Sequence, residues 1–161
     1  MVSKETLISY FAGNTDIVRR QTAGLTHAQS LLQLPFRGNC LNWVMGHLVE
    51  NRNGIVTALG QAPIMTEAEA RRYGYGSEPV TCEGEGVLKL EDLLARFERA
   101  QQAIEAGLRQ ATPEFLARQV SFARRTMTLG ERVFFQYFHE TYHVGQTELL
   151  RQLAGTNDKV I

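Results

Sequence analysis

Apolar residues recur at helical spacing along most of this chain. In the first segment Leu7, Phe11, Asn14, Val18 and Gln21 step by three or four, with Ile8, Ile17 and Leu25 beside them, which predicts an amphipathic helix from about Ser3 to Ala23. Gly24 supplies its stop. Thr26-His27-Ala28-Gln29 has the spacing of a capping box and opens a short helical turn that ends before Pro35. A second long helix is predicted from about Cys40 to Leu59, with Asn39 as N-cap, Gly60 beyond the C-terminus, and Leu41, Val44, Leu48 and Ile55 on the buried face.

Residues 60 to 88 are the least regular. Thr66-Glu67-Ala68-Glu69 predicts another capped short helix, whereas Tyr73 to Pro79 and Glu83 to Gly86 read as loop. A connection this long in a small domain is often functional or mobile. A third long helix is predicted over 90–110 on the stripe Leu90, Leu93, Leu94, Phe97, Ile104 and Leu108. Thr112-Pro113-Glu114 opens a short helix to about Arg118. The last helix has the clearest start, a capping box at Thr128-Leu129-Gly130-Glu131, and runs to Ala154 before Gly155. Its ~26 residues would span ~39 Å. Val120, Ser121 and Phe122 alternate over too few residues to predict a strand. The reading is therefore all-α: one domain, residues 1–161, folded as a four-helix bundle with short extra helices in the connections.

Charge narrows the function classes. Lys plus Arg equals Asp plus Glu at 17 each, so the basic excess of a nucleic-acid binder is absent. No run approaches the ~18 consecutive apolar residues of a membrane span. The N-terminal stretch lacks the apolar core and cleavage site of a secretory signal, so a cytoplasmic location is expected. The two cysteines, Cys40 and Cys82, are too far apart in sequence for a CxxC site and read as reduced thiols.

The candidate chemistry lies in the histidines. There are four: His27, His47, His139 and His143. His139 and His143 are four residues apart in the strongest helix, on the stripe Gln136, His139, His143, Gln146 and Leu150, flanked by apolar Val133, Phe134, Phe138 and Leu149. Residues at i and i+4 share a helix face, so both rings can converge on one ion from the bundle interior. A hydrogen-bonded structural pair is the competing reading, because burying unsatisfied imidazoles costs free energy. His47, mid-helix among Val44, Met45, Leu48 and Val49, favours the metal. Three such ligands leave a coordination position open for water or substrate. They suit zinc, nickel, copper and iron alike. His27, in a connection, is not expected to be a ligand. His139-Glu140-Thr141-Tyr142-His143 also matches H-E-x-x-H, in which Glu140 would be the general base of a metallopeptidase. Only 18 residues follow His143, with Glu148 the sole acidic candidate for a third ligand before the tail, and that reading is set aside.

The stretches Leu41-Asn42-Trp43-Val44-Met45-Gly46-His47-Leu48 and His139-Glu140-Thr141-Tyr142-His143-Val144-Gly145-Gln146 resemble the DinB/YfiT-like superfamily of metalloenzymes. In that family one histidine ends a W-x-x-x-H-L stretch and two lie in an H-x-x-x-H-x-G-Q stretch. The resemblance implies an up-down-down-up bundle, often a homodimer, with His47, His139 and His143 as ligands of one zinc or nickel ion. It also implies a small-molecule substrate, and in some relatives a thiol S-transferase or isomerase reaction using a low-molecular-weight thiol such as mycothiol or bacillithiol. A non-catalytic metal-binding or stress-associated protein is the alternative. Gln146, Glu140, Asn51 and Gln136 are candidates to orient the rings or a bound water. Trp43 and Tyr142 are read as core or interface aromatics, Arg124 and Arg125 as solvated, and Tyr73 and Tyr75 as pocket-lining or surface residues.

Overall fold

The computed structural model describes residues 2–160. Four long helices, α1 (Lys4–Thr22), α3 (Leu41–Ala58), α5 (Leu90–Gln110) and α7 (Leu129–Leu153), form the bundle. Short helices α2 (His27–Ser30), α4 (Glu67–Tyr73) and α6 (Pro113–Ala117) occupy the connections. The predicted caps are present: Thr26, Thr66 and Thr128 each accept a backbone N–H from the residue three positions on, and Gln29, Glu69 and Glu131 reach back to close the boxes. The cap of α3 differs from expectation. It is Cys40, not Asn39, and it has no side-chain cap bond. The buried Cys40 thiol donates instead to the Val80 carbonyl, so packing sets the start of this helix.

Side-chain pairings fix the helix directions. Asn14 meets Glu140 and Arg151 meets the carbonyl of Gln21, so α1 and α7 run parallel. Arg52 meets Phe97 and Leu59 lies against Gly107, so α3 and α5 run parallel. Asn51 meets Gln136 and Gly54 meets Arg132, so α3 and α7 run antiparallel. Lys4 meets Arg109 while Arg19 meets Glu98, so α1 and α5 also run antiparallel. The bundle is up-down-down-up.

Its core has two clusters, one including Trp43, Leu48, Leu93 and Phe97, the other including Leu7, Phe11, Ile55 and Val133. Every residue of α3 from Leu41 to Val49 is buried, because the 60–88 connection covers the side that a simple bundle helix would expose. Tyr73 of α4, read from sequence as a pocket or surface residue, is fully buried there. Its hydroxyl donates to Asn42 Oδ1 and accepts from the Leu88 N–H.

Two further expectations are corrected. Residues Val120 to Phe122 do form a strand: β1 (Gln119–Phe122) pairs antiparallel with β2 (Arg125–Thr128). The two-residue turn puts Ala123 and Arg124 at φ 49° and 62° without the Asn-Gly that usually announces such a turn. Thr128 ends the hairpin and caps α7, so the hairpin is fixed to the helix that carries two of the histidines. The apolar flank of α7 is the second correction. Val133 is buried, but Phe134, Phe138 and Leu149 are exposed, because among the long helices α7 packs chiefly against α1 and α3, which cover one side of it. Tyr142 is likewise exposed. Among the described residues, no helix is long and apolar enough to cross a membrane.

Candidate metal centre

α3 brings His47 opposite the i, i+4 pair His139 and His143 of α7. One nitrogen from each ring can be chosen so that all three lie within 4.8 Å of one another. Nε2 of His139 is 3.2 Å from Nε2 of His143. Two nitrogens each ~2.1 Å from a common ion, at angles near tetrahedral or octahedral, lie roughly 3.0–3.4 Å apart.

The other side of two rings is tied down. His47 Nδ1 donates to the Tyr73 carbonyl at 2.8 Å, and its ring stacks on Trp43 at 4.8 Å with the planes 17° apart. Trp43 is held in turn by an indole N–H to Ser77 Oγ. His143 Nδ1 donates to Gln146 Oε1 at 2.7 Å. A carbonyl oxygen on each Nδ1 selects the tautomer with a lone pair on Nε2, the form that binds metal. Asn51 Nδ2 lies 3.2 Å from His47 Nε2 and also donates to the His47 carbonyl, so its amide sits on the nitrogen that faces the cluster. His139 Nδ1 is buried and has no partner.

All three rings favour the neutral state. Burial pushes His47 down to about 4, with the neighbouring histidines adding to the effect and the Tyr73 carbonyl opposing it. Burial also lowers His139, helped by His143, and lowers His143 against the opposing bond to Gln146. Neutral imidazoles with convergent lone pairs are the donor set that a borderline divalent ion takes.

The remaining candidates separate. Gln136 is buried beside the cluster, donating to the Asn51 carbonyl and accepting from Arg132 Nε. Glu140 points elsewhere. One residue on from His139, it is turned about 100° round the helix. Its carboxylate is fully buried in an ion pair with Arg52 at 2.7 and 2.8 Å, and Asn14 donates to it as well. Both oxygens are committed, which leaves no general base for the peptidase reading. His27 lies apart, its Nδ1 accepting from the Leu90 N–H at the start of α5.

A cavity of about 750 Å³ opens beside His47 and His139 and extends between α3 and α7 toward the hairpin. Phe122, Phe135 and the exposed Tyr75 wall it, and Glu50, Arg124 and Arg132 reach it. Nothing in the sequence pattern marks Arg132 or Phe122 for this site, and Arg124, expected to be solvated, lines the cavity from the hairpin turn. The Tyr73 carbonyl is a further group of the site that the sequence does not mark. A backbone acceptor leaves no residue signature, and the hairpin had no turn signal.

A family model described as the DinB superfamily matches residues 12–147. No curated protein matches the sequence. Among solved structures, a conserved protein from Enterococcus faecalis superposes with a TM-score of 0.71 at 15 % identity, covering 97 % of this chain and 99 % of that one. A mutant of a mycothiol-dependent maleylpyruvate isomerase superposes with a TM-score of 0.65 at 15 % identity, covering 90 % of this chain. The alignment takes in 62 % of that enzyme's chain. The match from α1 to α7, together with the helical-bundle fold, places this chain in the DinB superfamily.

Proposed function

We propose that this protein is a metal-dependent enzyme of the thiol S-transferase or isomerase kind, with one divalent ion, zinc or nickel, held by His47, His139 and His143. One observation carries the reading: three imidazoles bring one ring nitrogen each to within 4.8 Å of one another beside a cavity large enough for a small molecule. An ion bound by three neutral ligands keeps its full positive charge and lowers the pKa of a thiol or water that reaches it. The chain's own residues prepare that position. The Tyr73 carbonyl and Gln146 hold the rings in orientation and tautomer, while Trp43 shields one face of His47 from water. Phe122 and Phe135 give a carbon skeleton an apolar wall.

A low-molecular-weight thiol as co-substrate is supported by the fold shared with a mycothiol-dependent isomerase. A cytoplasmic protein working as a homodimer fits the reading. The exposed Phe134, Phe138 and Tyr142 on α7 supply an apolar face for a second copy. The test is a panel: metal-loaded protein with bacillithiol, mycothiol or glutathione and an electrophile. A metal-dependent rate that disappears in His143→Ala supports the proposal. Absence of any metal-dependent rate across the panel favours a non-catalytic metal-binding protein.

A further inference from the structure

The groove between α3 and α7 has two chemically different ends. At one end are His47 and His139, with Glu50 and Asn51 nearby. At the other is Arg132, seven residues before His139 on the same helix and therefore about 10 Å away along its axis. Arg132 is half-buried. Its Nε donates to Gln136 Oε1 and one terminal nitrogen donates to the Gly54 carbonyl. Its guanidinium lies 4.7 Å from the centroid of the Phe122 ring. A guanidinium has five N–H donors, and these bonds occupy two. Among the described residues, no carboxylate lies within ion-pair distance of Arg132 or of Arg124, which reaches the same cavity from the hairpin turn.

A cation that is partly desolvated, stacked on an aromatic ring and left without a counter-charge is stabilised by a partner anion. Burial pushes Arg132 down, and the nearby Arg118 charge adds to the effect, so the local surroundings are already electropositive. Glu50 lines the histidine side, where burial pushes its carboxyl pKa up and Asn51 Nδ2 donates to it. The unpaired guanidinium donors of Arg132 favour a carboxylate at their end of the cavity, while the histidine end suits a thiol or other metal-seeking group. Apolar walls connect the two ends.

We infer that the cavity takes an organic carboxylate, bound by the free edge of Arg132 with Arg124 at the rim, so that the rest of the molecule extends to the histidine cluster. This identifies the substrate class for the proposed function and rests on that reading for the chemistry at the histidine end. A planar carboxylate matches the guanidinium fork, and such charge-assisted pairs exceed neutral hydrogen bonds in strength. Arg132 is thus a specificity-determining residue, set apart from the reacting end.

The test compares two thiols of equal length on zinc-loaded full-length protein: 6-mercaptohexanoate and its neutral analogue 6-mercaptohexan-1-ol. The acid is expected to bind about tenfold more tightly, as one charge-assisted pair would give. That preference should fall to roughly twofold or less in Arg132→Gln and at least by half in Arg124→Gln. Circular dichroism and zinc content are measured on each variant. Arg124 is exposed on a turn, so its variant keeps the test decisive should Arg132→Gln misfold. Equal affinity for acid and alcohol, or a preference unchanged in the folded variants, overturns the inference. The same titrations on chelator-treated protein separate the two claims. Thiols that bind only with zinc but show no acid preference sink this inference alone. An arginine-dependent acid preference with no zinc dependence sinks the metal reading and leaves the carboxylate site standing.

Discussion

The backbone carbonyl of Tyr73 accepts a hydrogen bond from His47 Nδ1 at 2.8 Å, and the ring of the same tyrosine fills the space beside Gly46. A Cβ at position 46 would lie 2.0 Å from Tyr73 Cδ1. Glycine is therefore required for close packing here, since its φ lies within an ordinary helix. Gly46→Ala should drive the tyrosine outward, destabilising the fold by about 1–3 kcal/mol as overpacking does. It should also weaken metal binding by releasing His47 from its acceptor. Chemical denaturation and competitive metal titration of the variant check both. An unchanged metal affinity would mean that the Tyr73 carbonyl does not govern the ring.

Gln146 plays the matching part for His143, accepting its Nδ1–H at 2.7 Å. Gln146→Leu removes that acceptor while keeping the side-chain volume. Loss of such a partner typically costs 10–100-fold in metal affinity. The fold should be little affected, because Gln146 is only partly buried. A chelator competition assay measures the change; affinity within twofold of wild type would remove Gln146 from the site.

Much of this arrangement was legible in the chain. The stripes of α1 and α5 and the capping residues Thr26, Thr66 and Thr128 mark elements by local physics alone, and the structure has them. The convergence of His47 with the i, i+4 pair followed from helix periodicity and the resemblance together. What was not legible depends on contacts between distant segments. The hairpin turn uses Ala123 and Arg124 in left-handed conformations that their identities do not advertise. The role of Glu140 depends on Arg52, a charged residue that α3 carries into the core among Leu48, Val49, Ile55 and Val56. Helical spacing alone cannot tell a buried arginine from one at the edge of the apolar stripe.

The Arg52–Glu140 pair makes a prediction of its own. Arg52 also donates to the carbonyls of Phe11 and Phe97 and to Thr15, with its guanidinium 3.5 Å from the Phe97 ring centroid. Glu140→Ala leaves that cation buried and unpaired, and should destabilise the protein by about 3–5 kcal/mol. The double variant Arg52→Met, Glu140→Leu should recover much of the loss, because apolar groups of similar volume replace the pair without an orphaned charge. Urea unfolding of the three proteins provides the comparison. A folded Glu140→Gln variant should retain its metal, in contrast to a role for Glu140 in the cluster.

Acid should weaken the metal-free protein in a defined window. His47 is held neutral down to about pH 4, whereas in the unfolded chain it protonates near 6.5. Between those values the unfolded state binds more protons, so stability falls as pH drops from about 6.5 to about 4 and then levels off. The His47 contribution is on the order of 3 kcal/mol. His139 and His143 are shifted in the same direction and add to the loss. Unfolding midpoints across that range, compared with His47→Ala, test the assignment. A variant with the same pH dependence as wild type would remove His47 as its source. Metal affinity should decline over the same window, since protons compete for the same nitrogens.

Metal analysis of untagged protein, purified and then reconstituted with zinc or nickel, bears most directly on the three-histidine centre. The arrangement predicts close to one equivalent in wild type, lost in His47→Ala, His139→Ala and His143→Ala while helicity by circular dichroism is retained. Wild-type protein that takes up no metal, or a folded His47→Ala variant that keeps a full equivalent, would contradict it.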